Sequence, residues 1–182
     1  MRADAQRNRA RVLAAATEAF AAEGLAVPLD EIARRAGVGA GTVYRHFPTK
    51  EALFEAVMLD RITRLTEYAK TLAEAEDPGA AFFEFLRRMV FGAASSKDLI
   101  DALIGQELSG AGLIVAAKRD LHQAGAELLT RAQRASAVRA DIGGTELMTL
   151  LSGTTLALQQ NPADGEIVFA VLRDGLRAQI PT

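Results

Sequence analysis

Thr42, Tyr44, Arg45 and His46 fall within one short stretch, and none shares the spacing of the apolar pair Val43 and Phe47. Residues four apart lie on one face of a helix, so Val43 and Phe47 turn inward and the other four turn out. The outward groups are hydrogen-bond donors and one phenol ring. Such a set suits phosphate oxygens and base edges, which side-chain N–H and O–H groups recognise. Ala40 and Gly41 come just before and carry almost no side chain, so this end can approach a partner closely. Lys50 follows, and Arg7, Arg9 and Arg11 crowd an earlier helical start. The helix dipole disfavours cations at a helix start. An external anion such as a nucleic-acid phosphate would offset that.

The elements that position these groups run from Leu29 to Lys50, LDEIARRAGVGAGTVYRHFPTK. A short helix, Leu29–Ala36, points Ile32 and Ala33 to a core and leaves Arg34 and Arg35 outside. Pro28 suits its first position, and Asp30 and Glu31 suit its first turn. Gly37 ends it by accepting a positive φ without a Cβ clash. Val38 plugs the turn. A second helix of about two turns, Ala40–Phe47, opens at Gly39. Pro48 breaks the chain and Thr49 caps a third helix. Lys50 stands at that helix's N-terminus, where free amides and a cation together suit a phosphate. Two short helices across a glycine turn form a helix-turn-helix, whose second helix enters the major groove of DNA.

The run IARRAGVGAGTVYRHFPTKEALFEAV resembles the DNA-binding signature of the TetR family of bacterial transcriptional regulators. The AGV turn, the T-V-Y of the second helix, its aromatic exit and the lysine that opens the next helix occur in order. The resemblance covers the first quarter to third of the chain. It implies that Lys50, Tyr44 and Thr42 contact the phosphate backbone. Thr42, Tyr44 and His46 are expected to face the groove with Ala40 and Gly41 allowing close approach, Arg45 to bear with Thr42 on sequence preference, and Lys50 with Arg7 and Arg9 to hold phosphate. One departure stands at Gly39, where the family often has serine or threonine; glycine removes a capping hydroxyl.

Composition bounds the rest. The chain has 182 residues, 49% of them apolar, and no cysteine. Disulfides, thiol catalysis and thiolate metal sites are therefore excluded. No segment approaches the roughly 20 apolar residues that span a bilayer. No apolar signal core follows the charged N-terminus, so a soluble cytoplasmic protein with no membrane partner is expected. The formal net charge of −2 hides an asymmetry. Residues 1–50 carry eight Lys/Arg and five Asp/Glu, for +3, and the remainder carries −5. A basic head on an acidic body fits a protein that meets nucleic acid at one end.

Helical periodicity continues throughout, so the expected fold is all-α with about nine helices. A first helix runs from Gln6 to Glu23, after frayed residues 1–5, with Leu13, Ala16 and Phe20 inward. A long helix from Lys50 to about Glu76 starts in the head and is long enough to act as a lever into the body. Further helices are expected at Ala80–Ala94, Lys97–Leu108, Leu113–Ala135, Thr145–Gln160 and Glu166–Ile180, with a linker at Ser136–Gly144. Residues 1–50 read as the DNA-binding domain, and 51–182 as a ligand-binding and dimerisation domain.

Thr145–Gln160 is apolar on nearly every side and so must be buried all round. With Glu166–Ile180 it carries too much apolar surface for a small domain. A homodimer built as a four-helix bundle is expected, through Leu147, Leu150, Leu151, Leu158, Phe169, Leu172 and Leu176. The resemblance implies the same, and a two-fold operator requires a two-fold protein.

No catalytic or metal-binding constellation occurs: there is no G-x-S-x-G, Walker loop, dinucleotide fingerprint or H-E-x-x-H. Catalytic residues, metals and cofactors are not expected. The resemblance implies a small-molecule site among the body helices. Its candidate lining is Met58, Phe82, Phe85, Met89, Leu103, Glu107, Leu121 and Leu151, a set suited to a hydrophobic or amphipathic effector. The expected function is a repressor that binds a palindromic operator as a homodimer and leaves it when the effector binds. A DNA-binding dimer with no effector is the alternative. A helical enzyme that has kept the fold would need convergent polar groups in a pocket.

Overall fold

A computed structural model describes residues 2–94 and 111–178. The described residues form eight α-helices: α1 (Arg2–Glu23), α2 (Leu29–Ala36), α3 (Ala40–His46), α4 (Lys50–Leu72), α5 (Pro78–Ala94), α6 (Ala111–Arg134), α7 (Gly144–Gln160) and α8 (Gly165–Leu176). The fold is all-α, as expected. The helix expected at Lys97–Leu108 lies outside the described residues. Two compact units divide the described chain: 2–62 with 111–117, and 63–94 with 118–178.

In the first unit, α1 packs on α2 and α3, and α2 packs on α3. The stripe Leu13, Ala16 and Phe20 is buried, as are Ile32, Ala33, Val43, Phe47, Leu53 and Phe54. Phe20 meets Phe54 edge to face, with ring centroids 6.0 Å apart. That geometry places the positive edge of one ring on the negative face of the other. Helix α1 begins at Arg2, earlier than expected. Asp4 lies in its first turn, where an acid suits the dipole, and Arg7 pairs with it from the next turn.

In the second unit, α5, α7 and α8 pack on one another. Phe82, Phe85, Leu86 and Val90 of α5 are buried, with Leu147, Leu151 and Leu158 of α7 and Phe169 and Leu176 of α8. Helix α5 starts at Pro78 because Asp77 caps it: Oδ1 accepts from the Ala80 N–H at 2.9 Å. Gly79 allows a close approach here. A Cβ at that position would lie 2.6 Å from the Ala137 Cβ.

Helix α4 stops at Leu72, short of Glu76. Its end tightens into i→i+3 hydrogen bonds: Glu74 N–H to Thr71 O at 3.2 Å and Ala75 N–H to Leu72 O at 3.1 Å. Arg131 of α6 donates to the carbonyls of Ala73 and Ala75, which the helix leaves without internal partners.

The linker between α6 and α7 is tied down. The Gln133 amide donates to Arg139 O at 3.0 Å and Ile142 O at 2.9 Å. Val138 forms an antiparallel bridge with Arg177; Arg139 N–H donates to Leu176 O at 3.0 Å and Ala178 N–H to Ala137 O at 3.2 Å. This bridge takes Arg177 into extended backbone, so α8 ends at Leu176 rather than Ile180.

Within this chain α7 is not buried all round. Leu150 keeps 42% and Leu156 57% of its surface. On α8, Ile167 and Val171 keep 68% and 70%.

Candidate nucleic-acid interface

The turn between α2 and α3 is built from both ends of the first unit. Gly37 adopts φ 62°, ψ 40°. Its N–H bonds Arg34 O at 3.1 Å, and the Val38 N–H bonds Ala33 O at 3.1 Å. Any Cβ at Gly37 would be strained by that φ. Arg11 of α1 donates from Nη2 to Gly37 O at 3.1 Å, so α1 fastens the turn directly. Arg34 and Arg35 are satisfied locally. Arg34 donates to Glu31 at 2.7 Å, and Arg35 binds Glu31 at 2.7 Å and Glu23 at 2.6 Å. The Arg34 bond, then the Arg35 bond, holds the Glu31 carboxyl down to about 2.

Gly39 opens α3 without any side-chain cap. Its carbonyl takes the Thr42 N–H at 2.8 Å. Val43 and Phe47 are buried; Tyr44, Arg45 and His46 are exposed with Ala40 and Gly41, and Thr42 is half-buried. The negative charge of Asp30 on α2, and then partial desolvation, push the titration of the Tyr44 phenol up. Arg45 folds back, Nε to Gly41 O at 2.9 Å. The Arg9 guanidinium lies 5.7 Å from the Phe47 ring centroid, which brings α1 beside the end of α3. Thr49 caps α4, taking the Ala52 N–H at 3.1 Å. Lys50 is half-buried and donates to Leu25 O at 2.8 Å, so the protein uses part of its donor capacity.

Arg7 is paired with Asp4. Arg9, Arg11, Arg45 and Lys50 meet only neutral groups among the described residues, so no carboxylate cancels their charge. Sequence reasoning missed the roles of Arg11 and Asp30. Both depend on contacts between helices that no local pattern signals.

The second unit holds a cleft of ≈ 850 Å³ between α5, α6 and α7. Of the expected lining, Phe85, Met89, Leu121 and Leu151 border it. Phe82 and Met58 do not border it. Phe82 is fully buried in the second unit's core, and Met58 is buried in the first unit. Leu103 and Glu107 lie outside the described residues. Arg119, His122, Gln123, Thr145, Met148, Thr149 and Ser152 also line the cleft. The sequence placed Arg119 and His122 on an amphipathic helix, but not on the side of it that opens to a cleft.

Among the residues expected to face a partner copy, Leu147, Leu151, Leu158, Phe169 and Leu176 are already buried within the protomer. Leu150 is exposed and Leu172 half-buried. The exposed large apolar side chains of α7 and α8 are Leu150, Leu156, Ile167 and Val171. No described helix is long and apolar enough to cross a membrane. No group of three or more potential metal ligands occurs among the described residues.

Residues 12–57 match the family model described as bacterial regulatory proteins, tetR family. Residues 77–178 match transcriptional regulator SbtR-like, C-terminal domain. A TetR transcription regulatory protein from Mycobacterium vanbaalenii is 51% identical and superposes with a TM-score of 0.80, covering 97% of this chain and 98% of that one. The TetR transcriptional regulator SCO0520 from Streptomyces coelicolor is 32% identical with a TM-score of 0.78, over 94% and 99% of the two chains. The HTH-type transcriptional regulator SrpR of Pseudomonas putida is 45% identical over 60 residues, which are 32% of this chain and 28% of that protein. Matches to this and other curated relatives span less than half of their length. A helix-turn-helix at one end, a helical body and full-length likeness to solved regulators lead to one assignment: the chain belongs to the TetR family of bacterial transcriptional regulators.

Proposed function

We propose that this protein is a cytoplasmic repressor that binds a palindromic operator as a homodimer and is released by a small hydrophobic or amphipathic effector. The observation that carries the reading is the outward face of α3, with Tyr44, Arg45 and His46 exposed over buried Val43 and Phe47. Thr42, Tyr44, Arg45 and His46 read the groove, and Ala40 and Gly41 let the helix approach. Lys50, Arg7 and Arg9 hold phosphate. Residues 1–50 form the DNA-binding domain and 51–182 the body. The exposed apolar surface of α7 and α8 supports a second copy of the chain as partner. The cleft supports an effector over a body that serves dimerisation alone.

The test is selection and sequencing of genomic fragments bound at moderate salt. Recovery of a palindrome with half-sites about one helical turn apart, or a small multiple, is the expected result. Binding that is only non-specific and steeply salt-dependent would reject the operator reading.

A further inference from the structure

We propose that the cleft between α5, α6 and α7 takes an amphiphilic anion, with an apolar body against α5 and α7 and a carboxylate or similar group at α6. This rests on reading the cleft as the effector site and names the ligand's chemical class. Phe85, Met89, Leu121, Met148 and Leu151 give the cleft its apolar wall. Among the described residues that line it, Arg119 is the formally charged one, and none is Asp or Glu. Asp120 stands beside Arg119 but engages it loosely, 3.4 Å from Nε and 3.3 Å from Nη2. A close guanidinium–carboxylate bond is roughly 2.7–2.9 Å, so a ligand anion can improve on this neighbour.

His122 and Gln123 add ring and amide nitrogens on the same helix. Opposite them, Thr149 and Ser152 spend their hydroxyl protons on the carbonyls of Thr145 and Met148, at 3.0 and 2.8 Å. They offer a ligand acceptor oxygens only. Among the described lining residues, the nitrogen side-chain donors Arg119, His122 and Gln123 all stand on α6. The Arg119 side chain keeps 77% of its surface; a neutral ligand would gain nothing from its charge, and a cation would be repelled by it.

The experiment is calorimetric titration of the full-length protein with three probes of equal chain length: decanoate, decanol and decylamine. Decanoate is expected to bind about tenfold more tightly than decanol, the worth of one charge-assisted contact, and decylamine more weakly than either. Arg119→Gln is expected to erase the decanoate preference and leave decanol binding unchanged. Ser152→Phe, which fills the cleft from an exposed position, is expected to weaken decanoate and decanol together; matching thermal midpoints establish that both variants fold. Equal affinity for decanoate and decanol, a preference that survives Arg119→Gln, or no binding by any probe would overturn the inference. Operator affinity measured with and without decanoate separates the two readings. Decanoate that binds through Arg119 but leaves operator affinity unchanged upholds the ligand class and removes the effector role. Intact operator binding with no probe bound removes the ligand class alone.

Discussion

Arg87 on α5 and Glu166 on α8 meet through two parallel hydrogen bonds, Nη1 to Oε2 at 2.8 Å and Nη2 to Oε1 at 2.6 Å. The same guanidinium lies 4.6 Å from the Phe91 ring centroid and 5.6 Å from that of Phe169. An exposed ion pair alone adds little. Here the planar fork both matches the carboxylate and covers two aromatic rings, which an ammonium cannot do equally well. Arg87→Lys is therefore expected to lower the thermal midpoint by most of what Arg87→Ala loses. High salt should leave much of the difference in place, because ring contact is not screened. Scanning calorimetry of both variants in low and high salt checks this.

Glu31 gives a pH prediction with a definite sign. Arg34 and then Arg35 hold its carboxyl at about 2, below the ordinary 4.5. A depressed carboxyl contributes stability that is full above its unfolded value and is lost as pH falls through its folded value. The contribution should thus fade between pH 4.5 and about 2. Glu31→Gln is expected to flatten the stability profile across that window and lower stability at neutral pH. Denaturant titrations at a series of pH values read it directly.

Gly79→Ala tests the approach of α5 to the α6–α7 linker. Alanine favours a helix by up to about 1 kcal/mol. The new methyl would meet the short, immovable Ala137 side chain at 2.6 Å. Overpacking of this kind costs about 1–3 kcal/mol, so a net loss is expected. Gly175→Ala, with nothing within 4 Å of its Cβ position, should be neutral or stabilising. Paired chemical denaturation curves give the contrast.

Lys50 and Arg11 should separate in their salt dependence. Lys50→Ala is expected to weaken binding to all DNA and reduce the salt slope by about 1, as loss of a phosphate contact does. Arg11 is bonded to the Gly37 carbonyl. Arg11→Ala should weaken DNA binding through a looser turn while nearly keeping the slope. Binding isotherms at four salt concentrations distinguish the two.

The proposed homodimer makes two neighbouring leucines behave differently. Leu156 is 57% exposed, whereas Leu158 is 2% exposed. Leu156→Glu is expected to give a folded monomer. Leu158→Glu should unfold the body, since it buries an unpaired charge. Sedimentation velocity and circular dichroism together check both outcomes.

Much of the first unit was legible because its signals are local. Val43 and Phe47 fix the inward face of α3 by spacing alone, and Gly37 marks a turn that needs a positive φ. The body was legible as helices but not as surfaces. An apolar side chain such as Leu151 reads the same whether it fills a core, lines a cleft or meets a partner. Periodicity gave Leu147 and Leu158 to an interface although both are spent inside the protomer. Helix ends misread for a related reason. Leu72 and Leu176 are terminal because distant groups, Arg131 and the 137–139 segment, supply hydrogen bonds that no local propensity encodes.

The bridge between Val138 and Arg177 also sets an order of events during synthesis. The carbonyl of Ala137 and the N–H of Arg139 receive their partners from Ala178 and Leu176, residues translated long after them. A nascent chain halted before Arg177 can form α5, α6 and α7 yet leaves the linker's edge unpaired. The edge of the linker therefore gains its backbone partners only once Leu176 and Ala178 have been made. Helices α1, α2 and α3, whose mutual contacts lie within the first 46 residues, can assemble well before that.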